Sequence, residues 1–323
     1  TDTDAYTNLY SDILKKRSDA KLNKNSILNA LYSFSKYGSK SPFTNILSAK
    51  ELKTLNPSEL TGIIKSLTTF EHRILYYGSM KGVDVVNVLS KNHKSPAALK
   101  PLPTEEKFEE LATSANKVFA VNYDMTQAEI LLTSRSEAYY KDLTPRIKLF
   151  NEYFGGGMSS IVFQELRESK ALAYSVYATY VESARVDKAN YLEAYMGVQS
   201  DKLPEAMAGM MDLMKSMPES KNNFESTQKA VLENIRSSRI TKTSILFNYE
   251  QAKKLNLDYD IRKDIYSVAQ QMTLADIKRF HSERVSNKKF TISILGNKKI
   301  IDEKVLATYG PVKWLTLEEI FGY

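Results

Sequence analysis

The chain has 323 residues, a net charge of +7 and a sequence pI near 9.1, with 42% hydrophobic and 26% charged residues. This is the balance of a globular protein with one or two domains, and the absence of cysteine excludes disulfides, thiolate zinc sites and cysteine nucleophiles. No apolar run is long enough to span a membrane, and the lysines are spread along the helices and mixed with acidic residues, which argues against nucleic-acid binding.

The first hundred residues are predicted to form helices, one strand and a linker. Apolar residues at helical spacing predict helices through the first forty residues. Asn56 is a helix cap and Pro57 suits the first helical position, so another helix starts there. Residues 73–77 read as a strand that ends at Gly78, and a helix over residues 83–89 leads into a proline-containing linker.

The same order of elements recurs near the C-terminus at offsets of 217 or 218 residues. The matched pairs are residues 24–28 with 242–246, residues 56–60 with 273–277, and the strand ending at Gly78 with the strand ending at Gly296. Two unrelated cap-helix-strand units would give the same signals. If the match is a true repeat, residues 1–103 are the second half of a unit whose complete form spans residues 104–323, and the chain is expected to lack the first half of its first copy.

Within residues 104–323, strands and helices fall into separate runs. Residues 118–121 and 128–132 are predicted to be neighbouring strands, residues 191–198 a further strand with one buried face, and residues 145–153 a helix. Further helices are predicted over residues 202–216, 222–239, 243–255 and 261–270. This pattern predicts an α+β fold in which a mainly antiparallel sheet is flanked by helices.

A glycine-rich stretch precedes the third strand of this unit. Gly155, Gly156 and Gly157 permit a positive φ or a close approach to another segment, and Ser159 or Ser160 can cap the helix that follows. The sequence turns to small, aromatic and β-branched residues after Ala171. We therefore predict a turn, a short helix and a strand over residues 155–176.

Common catalytic motifs are absent from the sequence. The histidines are His72, His93 and His281, without H-x-x-E-H spacing, so no metal site is predicted within this chain. No G-x-S-x-G elbow or phosphate-binding loop occurs. A methionine stripe over residues 203–214 has the period of a helix face, which suits core packing or a peptide groove.

Arg167 and Tyr174 are ambiguous by themselves, because an arginine near a helix C-terminus and a tyrosine in a strand are both common. The longer string F-G-G-G-M-S-S-I-V-F-Q-E-L-R-E, followed by L-A-Y-S-V, resembles the C-terminal half of insulinase/pitrilysin-type zinc peptidases, the inverzincins. The internal repeat fits the resemblance, since that family is built from homologous α+β domains. The resemblance covers essentially the whole chain.

The resemblance implies that the N-terminal and C-terminal halves of the protein have different roles. In this family the zinc ligands and the general base lie in the N-terminal half, and none of them is found in this chain. The C-terminal half closes over the peptide and contributes an arginine and a tyrosine in the pattern L-R-x(6)-Y, matched here by Leu166, Arg167 and Tyr174. Many members have glycine where this chain has Ala171, which could alter the turn.

Two functions follow from the resemblance. In the first, the chain is the substrate-clamping half of a zinc endopeptidase and is inactive alone; Tyr174 would stabilise the transition state and Arg167 would hold the substrate. Its partners would be a peptide and an N-terminal catalytic half, which carries the zinc and belongs to the same protein or to a partner subunit. In the second, the chain is a non-catalytic scaffold subunit. The compartment is unknown, with periplasm and cytoplasm both compatible.

Overall fold

The computed structural model describes residues 2–323, which contain one six-stranded sheet with helices on both faces. The longer helices are α1 (Thr3–Ala20), α2 (Lys24–Tyr37), α3 (Ala49–Thr54), α4 (Pro57–Ser66), α5 (Gly82–Asn92), α6 (Thr144–Phe154), α8 (Leu203–Lys215), α9 (Lys221–Ser237), α10 (Ser244–Lys254), α11 (Arg262–Gln271) and α12 (Leu274–Arg284). The short ones are α7 (Ile161–Phe163), α13 (Glu303–Ala307) and α14 (Leu317–Phe321). The strands are β1 (Lys117–Asn122), β2 (Gln127–Ala138), β3 (Ser175–Val181), β4 (Ala189–Gln199), β5 (Thr291–Gly296) and β6 (Val312–Leu315).

The strand order across the sheet is β3-β4-β2-β5-β1-β6. β1 runs parallel to β5 and β6, and the other neighbouring pairs are antiparallel. The predicted α+β class with a mainly antiparallel sheet is therefore confirmed. The helices expected over residues 145–153, 202–216, 222–239, 243–255 and 261–270 correspond to α6, α8, α9, α10 and α11.

The prediction that β1 and β2 are neighbouring strands is wrong. β5 lies between them and pairs with both, so the loop that joins them crosses a strand. All six residues of β5 are buried, and such a strand gains most at the centre of a sheet. The crossing spans about 10 Å, twice the strand spacing, which the four residues from 123 to 126 can cover.

The core has two parts, one on each face of the sheet. The larger cluster lies between one face and helices α6, α8, α9, α11 and α12. Leu203, Met207, Met210 and Met214 are buried in this cluster, so core packing explains the methionine stripe. The smaller cluster joins α2 and α14 to the opposite face, where β1, β5 and β6 contribute.

The strand predicted over residues 73–77 is wrong. These residues have no strand pairing and are exposed, although their equivalents form the central strand β5. A strand is stabilised by its neighbours, and within residues 2–323 no strand pairs with this segment. The helices at the positions matched by the predicted repeat, α2 with α10 and α4 with α12, occur in the predicted order, and Asn56 caps α4 by accepting from the Ser58 amide. Among the described helices, none combines the length and apolarity of a membrane span.

Candidate functional site

The glycine turn packs the end of α6 against β3. A Cβ on Gly155 would lie 2.2 Å from the carbonyl oxygen of Ala178, so only glycine fits here. Beside it, the Asn151 side chain accepts from the amide of Tyr180 at 2.7 Å and donates to its carbonyl at 3.0 Å. Glycine is therefore required at position 155 because the β3 backbone approaches it closely, and not because of a positive φ. These contacts fix β3 relative to the helix that follows the turn.

The next helix begins as predicted, with Ser160 as its cap accepting from the Phe163 amide at 3.4 Å. Residues 164–169 continue it as a π-helix, an irregularity that is frequent at functional sites. Arg167 lies in this π-helical turn, and its guanidinium stacks over the Phe163 ring with 4.8 Å between the guanidinium carbon and the ring centroid. The stacking holds the planar group, and the Arg167 side chain is 46% exposed.

Ala171 ends the helix in a left-handed conformation, with φ of +49°. A non-glycine residue adopts this conformation at a cost, because Cβ crowds the backbone. The Leu172 amide then donates to the Leu166 carbonyl at 2.8 Å, which closes the helix C-terminus. Alanine thus forms the turn for which glycine is expected, and Tyr174 still lies immediately before β3.

Arg167 and Tyr174 line one open cavity of about 310 Å³. Gln199 and Lys202 also line it, from the end of β4 and the turn that follows. The Tyr174 side chain is 53% exposed, so its hydroxyl is accessible to a ligand. The amide of Gln199 donates to the Tyr174 hydroxyl at 2.6 Å, which leaves the phenol hydrogen free to be donated.

The cavity carries more positive than negative charge. Arg167 and Lys202 face it together with one carboxylate, that of Glu168. The Arg167 Nε atom is 3.9 Å from a Glu168 oxygen, which is too long for a hydrogen bond. In the part of the chain that the structure describes, Arg167 donates no hydrogen bond, so its fork can bind carbonyl or carboxylate oxygens.

Two tyrosines stack on each other where β3 pairs with β4. Tyr177 of β3 stacks on Tyr195 of β4, with 5.3 Å between ring centroids. The Tyr195 hydroxyl donates to the buried carboxylate of Glu129, which also binds the Lys24 ammonium at 2.5 Å. Burial and this hydrogen bond raise the pKa of Tyr195 to about 12, so the hydroxyl stays protonated at neutral pH. The two stacked rings form an aromatic surface on β3 and β4.

The histidines do not converge. His281 is buried and its Nε2 atom lies 2.9 Å from the Leu213 carbonyl, whereas the exposed His72 and the half-buried His93 contact each other through Nε2 atoms 2.7 Å apart. Residues 2–323 contain no group of three or more histidine, aspartate or glutamate side chains that could hold a metal ion. The residues present therefore do not fit a catalytic zinc, which takes about three protein ligands.

Sequence reasoning did not single out Gln199 or Lys202. Both follow the end of a predicted strand, and the antiparallel pairing of Ser175 with Gly197 brings that end beside Tyr174. The register of β3 with β4 decides this proximity, and the sequence does not specify it. An antiparallel arrangement of the two predicted strands was the one available signal.

The model of one protein family, the peptidase M16 inactive domain, matches residues 73–231, a range that contains Arg167 and Tyr174. The chain belongs to the M16 peptidases. The predicted membership in the insulinase-type family, on the side of its C-terminal half, is thereby confirmed. As an M16 inactive domain, the chain is a non-catalytic, peptidase-like half.

Two solved structures with similar folds are a peptidase domain and a protease. A peptidase M16 inactive domain from Pseudomonas fluorescens is 15% identical, with a TM-score of 0.69 over 93% of this chain and 72% of that one. A protease from Helicobacter pylori is 14% identical, with a TM-score of 0.65 over 92% and 72%. At such identities the likeness concerns the fold.

A larger protein also shares the fold. A mutant of the ferredoxin protease FusC, in complex with Arabidopsis ferredoxin, is 11% identical with a TM-score of 0.68. The match covers 92% of this chain and 32% of that chain, so this chain corresponds to about a third of that protease. No curated protein matched the sequence.

Proposed function

We propose that this chain is the substrate-clamping, C-terminal half of a zinc endopeptidase and that it hydrolyses peptides only together with an N-terminal catalytic half. The observation that carries the proposal is the common cavity of Arg167 and Tyr174, the two residues that match the L-R-x(6)-Y pattern. Both side chains are exposed and are directed by rigid contacts, Arg167 by the Phe163 ring and Tyr174 by Gln199.

Tyr174 is suited to stabilise negative charge on the oxygen of a scissile carbonyl. Its hydroxyl oxygen already accepts the Gln199 amide, so its own hydrogen is directed elsewhere. That accepted hydrogen bond also makes the phenol a stronger donor, because hydrogen bonds in a chain polarise one another. Removal of one such donor typically costs about 2.7 to 4 kcal/mol of transition-state stabilisation.

Arg167 is suited to hold the peptide in register. Its guanidinium has free N–H groups next to the cavity, and Lys202 adds a second positive charge there. Both cations attract peptide carbonyl oxygens and carboxylates, and the planar fork of arginine also fixes their orientation. We expect the cavity to favour peptides with a carboxylate near the bond that is cut.

In our proposal, the groups that activate water do not belong to this chain. The described residues lack a ligand set for zinc, so the metal would have to be held by the N-terminal half. The division of the chain into a half-domain, residues 1–103, and a complete domain, residues 104–323, belongs to the same proposal.

The alternative is a scaffold or partner subunit that never contacts a scissile bond. The match to a family model of an inactive domain favours it, together with the lack of a metal-ligand cluster in residues 2–323. The exposed Arg167 and Tyr174 in a shared cavity favour the clamping function, since a scaffold has no need of them.

The test is peptide cleavage by this chain mixed with an insulinase-type N-terminal half that carries H-x-x-E-H. We expect chelator-sensitive cleavage in the mixture and none with this chain alone. Tyr174→Phe removes the hydroxyl, which is the proposed donor and also the acceptor of the Gln199 amide, and should lower turnover about 100-fold or more. Tyr177→Phe is the matched control, because this exposed tyrosine lies three residues away and does not line the cavity.

The mixture distinguishes the two functions. If cleavage occurs and Tyr174→Phe leaves its rate unchanged, the clamping role is wrong. A mixture that binds peptide without cleaving it favours the scaffold. Circular dichroism of both phenylalanine variants should match the parent chain, since each change deletes one hydroxyl of an exposed tyrosine.

A further inference from the structure

The charged groups around the cavity of Arg167 and Tyr174 differ in whether they have a partner. Three charged side chains line this cavity, those of Arg167, Glu168 and Lys202. The Arg167 Nε atom and a Glu168 carboxylate oxygen lie 3.9 Å apart, so their opposite charges offset each other at a distance. The net positive charge of the cavity therefore comes from Lys202.

Lys202 has no partner of its own. Its side chain is exposed and forms neither an ion pair nor a hydrogen bond within residues 2–323. The acidic residues nearest to it in sequence, Asp201 and Glu205, do not line the cavity. An ammonium group that no carboxylate of the chain neutralises is free to pair with a carboxylate of a ligand.

The fold places Lys202 close to the hydroxyl of Tyr174. Gln199, the last residue of β4, donates to this hydroxyl at 2.6 Å. Lys202 follows three residues later, which keeps the Cα atoms of Gln199 and Lys202 less than about 10 Å apart. An extended peptide advances about 3.4 Å per residue. The long side chain of Lys202 can therefore meet a carboxylate about two residues away from a carbonyl held at Tyr174.

Arg167 is suited to a different task from that of Lys202. Its guanidinium stacks on the Phe163 ring, which fixes the direction of its N–H groups. A fork in a fixed direction can bind main-chain carbonyl oxygens, which every peptide carries, so it favours all peptides alike. An ammonium on a flexible stem gains most from a full negative charge. Lys202 is therefore the group that can distinguish acidic from neutral peptides.

We propose that Lys202 is a specificity-determining residue and that the preferred substrates are peptides with an aspartate or glutamate about two residues from the cleaved bond. This role of Lys202 rests on the proposed function, because a peptide must first be clamped by Arg167 and Tyr174. Lys202 lies outside the L-R-x(6)-Y pattern, and only the turn after β4 brings it to the cavity.

The test compares cleavage of peptides that differ only in carrying glutamate or glutamine. One pair has this residue two positions before the bond, and a second pair has it two positions after the bond. The enzyme is this chain mixed with an insulinase-type N-terminal half that carries H-x-x-E-H. The charge preference is the ratio of kcat/KM for the glutamate peptide to kcat/KM for the glutamine peptide. In one pair it should be about 2 to 5, as for an exposed ion pair, and it should fall at high salt.

Charge changes at the cavity should move this ratio in opposite directions. Lys202→Met keeps a long side chain without the ammonium and should bring the ratio to about 1, whereas Lys202→Glu should bring it below 1. Glu168→Gln removes the carboxylate beside Arg167 and should raise the ratio. Lys229→Glu is the matched control, because this residue is exposed on α9, does not line the cavity and undergoes the same charge change. Its ratio should equal that of the parent chain.

Peptide binding to this chain alone gives a measurement that does not require catalysis. An NMR titration with the same peptides should show about 2- to 5-fold tighter binding of the glutamate peptide, with shifts of the Gln199 and Lys202 amides. Lys202→Met should remove the difference in affinity.

A ratio near 1 in both peptide pairs, or a preference for glutamate that survives in Lys202→Met, would overturn the specificity role. Cleavage that depends on Tyr174 but shows no charge preference would keep the clamping function and reject the role of Lys202. A charge preference in binding that requires Lys202, in a mixture that does not cleave, would keep the carboxylate site and reject the clamping function. Equal binding of the two peptides in such a mixture would reject both.

Discussion

Residues 73–78 and strand β5 carry the same pattern and have opposite structures. Both are short apolar runs that end in glycine, at Gly78 and Gly296. β5 is paired on both sides and fully buried, whereas residues 73–78 are unpaired and exposed. The comparison teaches that strand propensity is a capacity for pairing, and that neighbouring strands decide whether it is realised.

The largest test of this comparison is a pair of equivalent truncations. Ile292→Ala deletes a buried side chain at the centre of the sheet and should lower the free energy of unfolding by about 2 to 5 kcal/mol. Ile74→Ala at the equivalent exposed position should change it by less than about 0.5 kcal/mol. Urea denaturation of both variants measures the difference. Similar losses at the two positions would mean that residues 73–78 are packed in solution, contrary to the structure.

A smaller effect concerns α12 and α4, the helices that precede β5 and residues 73–78, respectively. His281 of α12 is buried and corresponds to the exposed Ile64 of α4. Burial holds the pKa of His281 below its ordinary value of 6.5, so the folded chain resists its protonation. The unfolded chain binds more protons as the pH falls below 6.5, and stability is lost there, by up to about 1.4 kcal/mol per pH unit.

The test is His281→Gln, which keeps a donor for the Leu213 carbonyl and removes the titration. We expect this variant to lose less stability than the parent chain between neutral and acid pH. Equal pH profiles from chemical denaturation would show that His281 does not contribute to the acid sensitivity of the complete copy.

The smallest effect concerns the backbone at Ala171, whose conformation does not depend on strand pairing. Ala171 holds a left-handed conformation, and Ala171→Gly removes a cost of about 1 kcal/mol. Glycine also adds freedom to the unfolded chain, worth about 0.4 to 1 kcal/mol, so the net gain should be between zero and about 0.6 kcal/mol. A thermal melt measures it. A clear loss of stability would mean that the Ala171 methyl makes contacts that outweigh its backbone strain.

Much of the fold could be predicted because it depends on local signals. Helices α6 and α8 to α11 follow from apolar periodicity and caps, and they occur within two residues of the expected bounds. The errors concern pairing. Residues 73–77 do not form a strand, and β5 separates β1 from β2, because both outcomes depend on which distant strands are available.

The candidate site also combines residues that the sequence predicts with residues that it does not. Arg167 and Tyr174 follow from a contiguous motif, and the geometry places both beside one cavity. Gln199 and Lys202 lie more than twenty positions after Tyr174 and reach it only through the register of β3 with β4. The role of these residues stays a prediction until the cleavage assay is done.

The contact of Gly155 with β3 also has a consequence for unwanted association. β3 is an edge strand, and unpaired edges invite pairing with other molecules. The Gly155 backbone and the Asn151 amide occupy that edge at Ala178 and Tyr180, so it is blocked from within the chain. New strands are therefore excluded from this stretch of β3, which limits aggregation through the edge of the sheet.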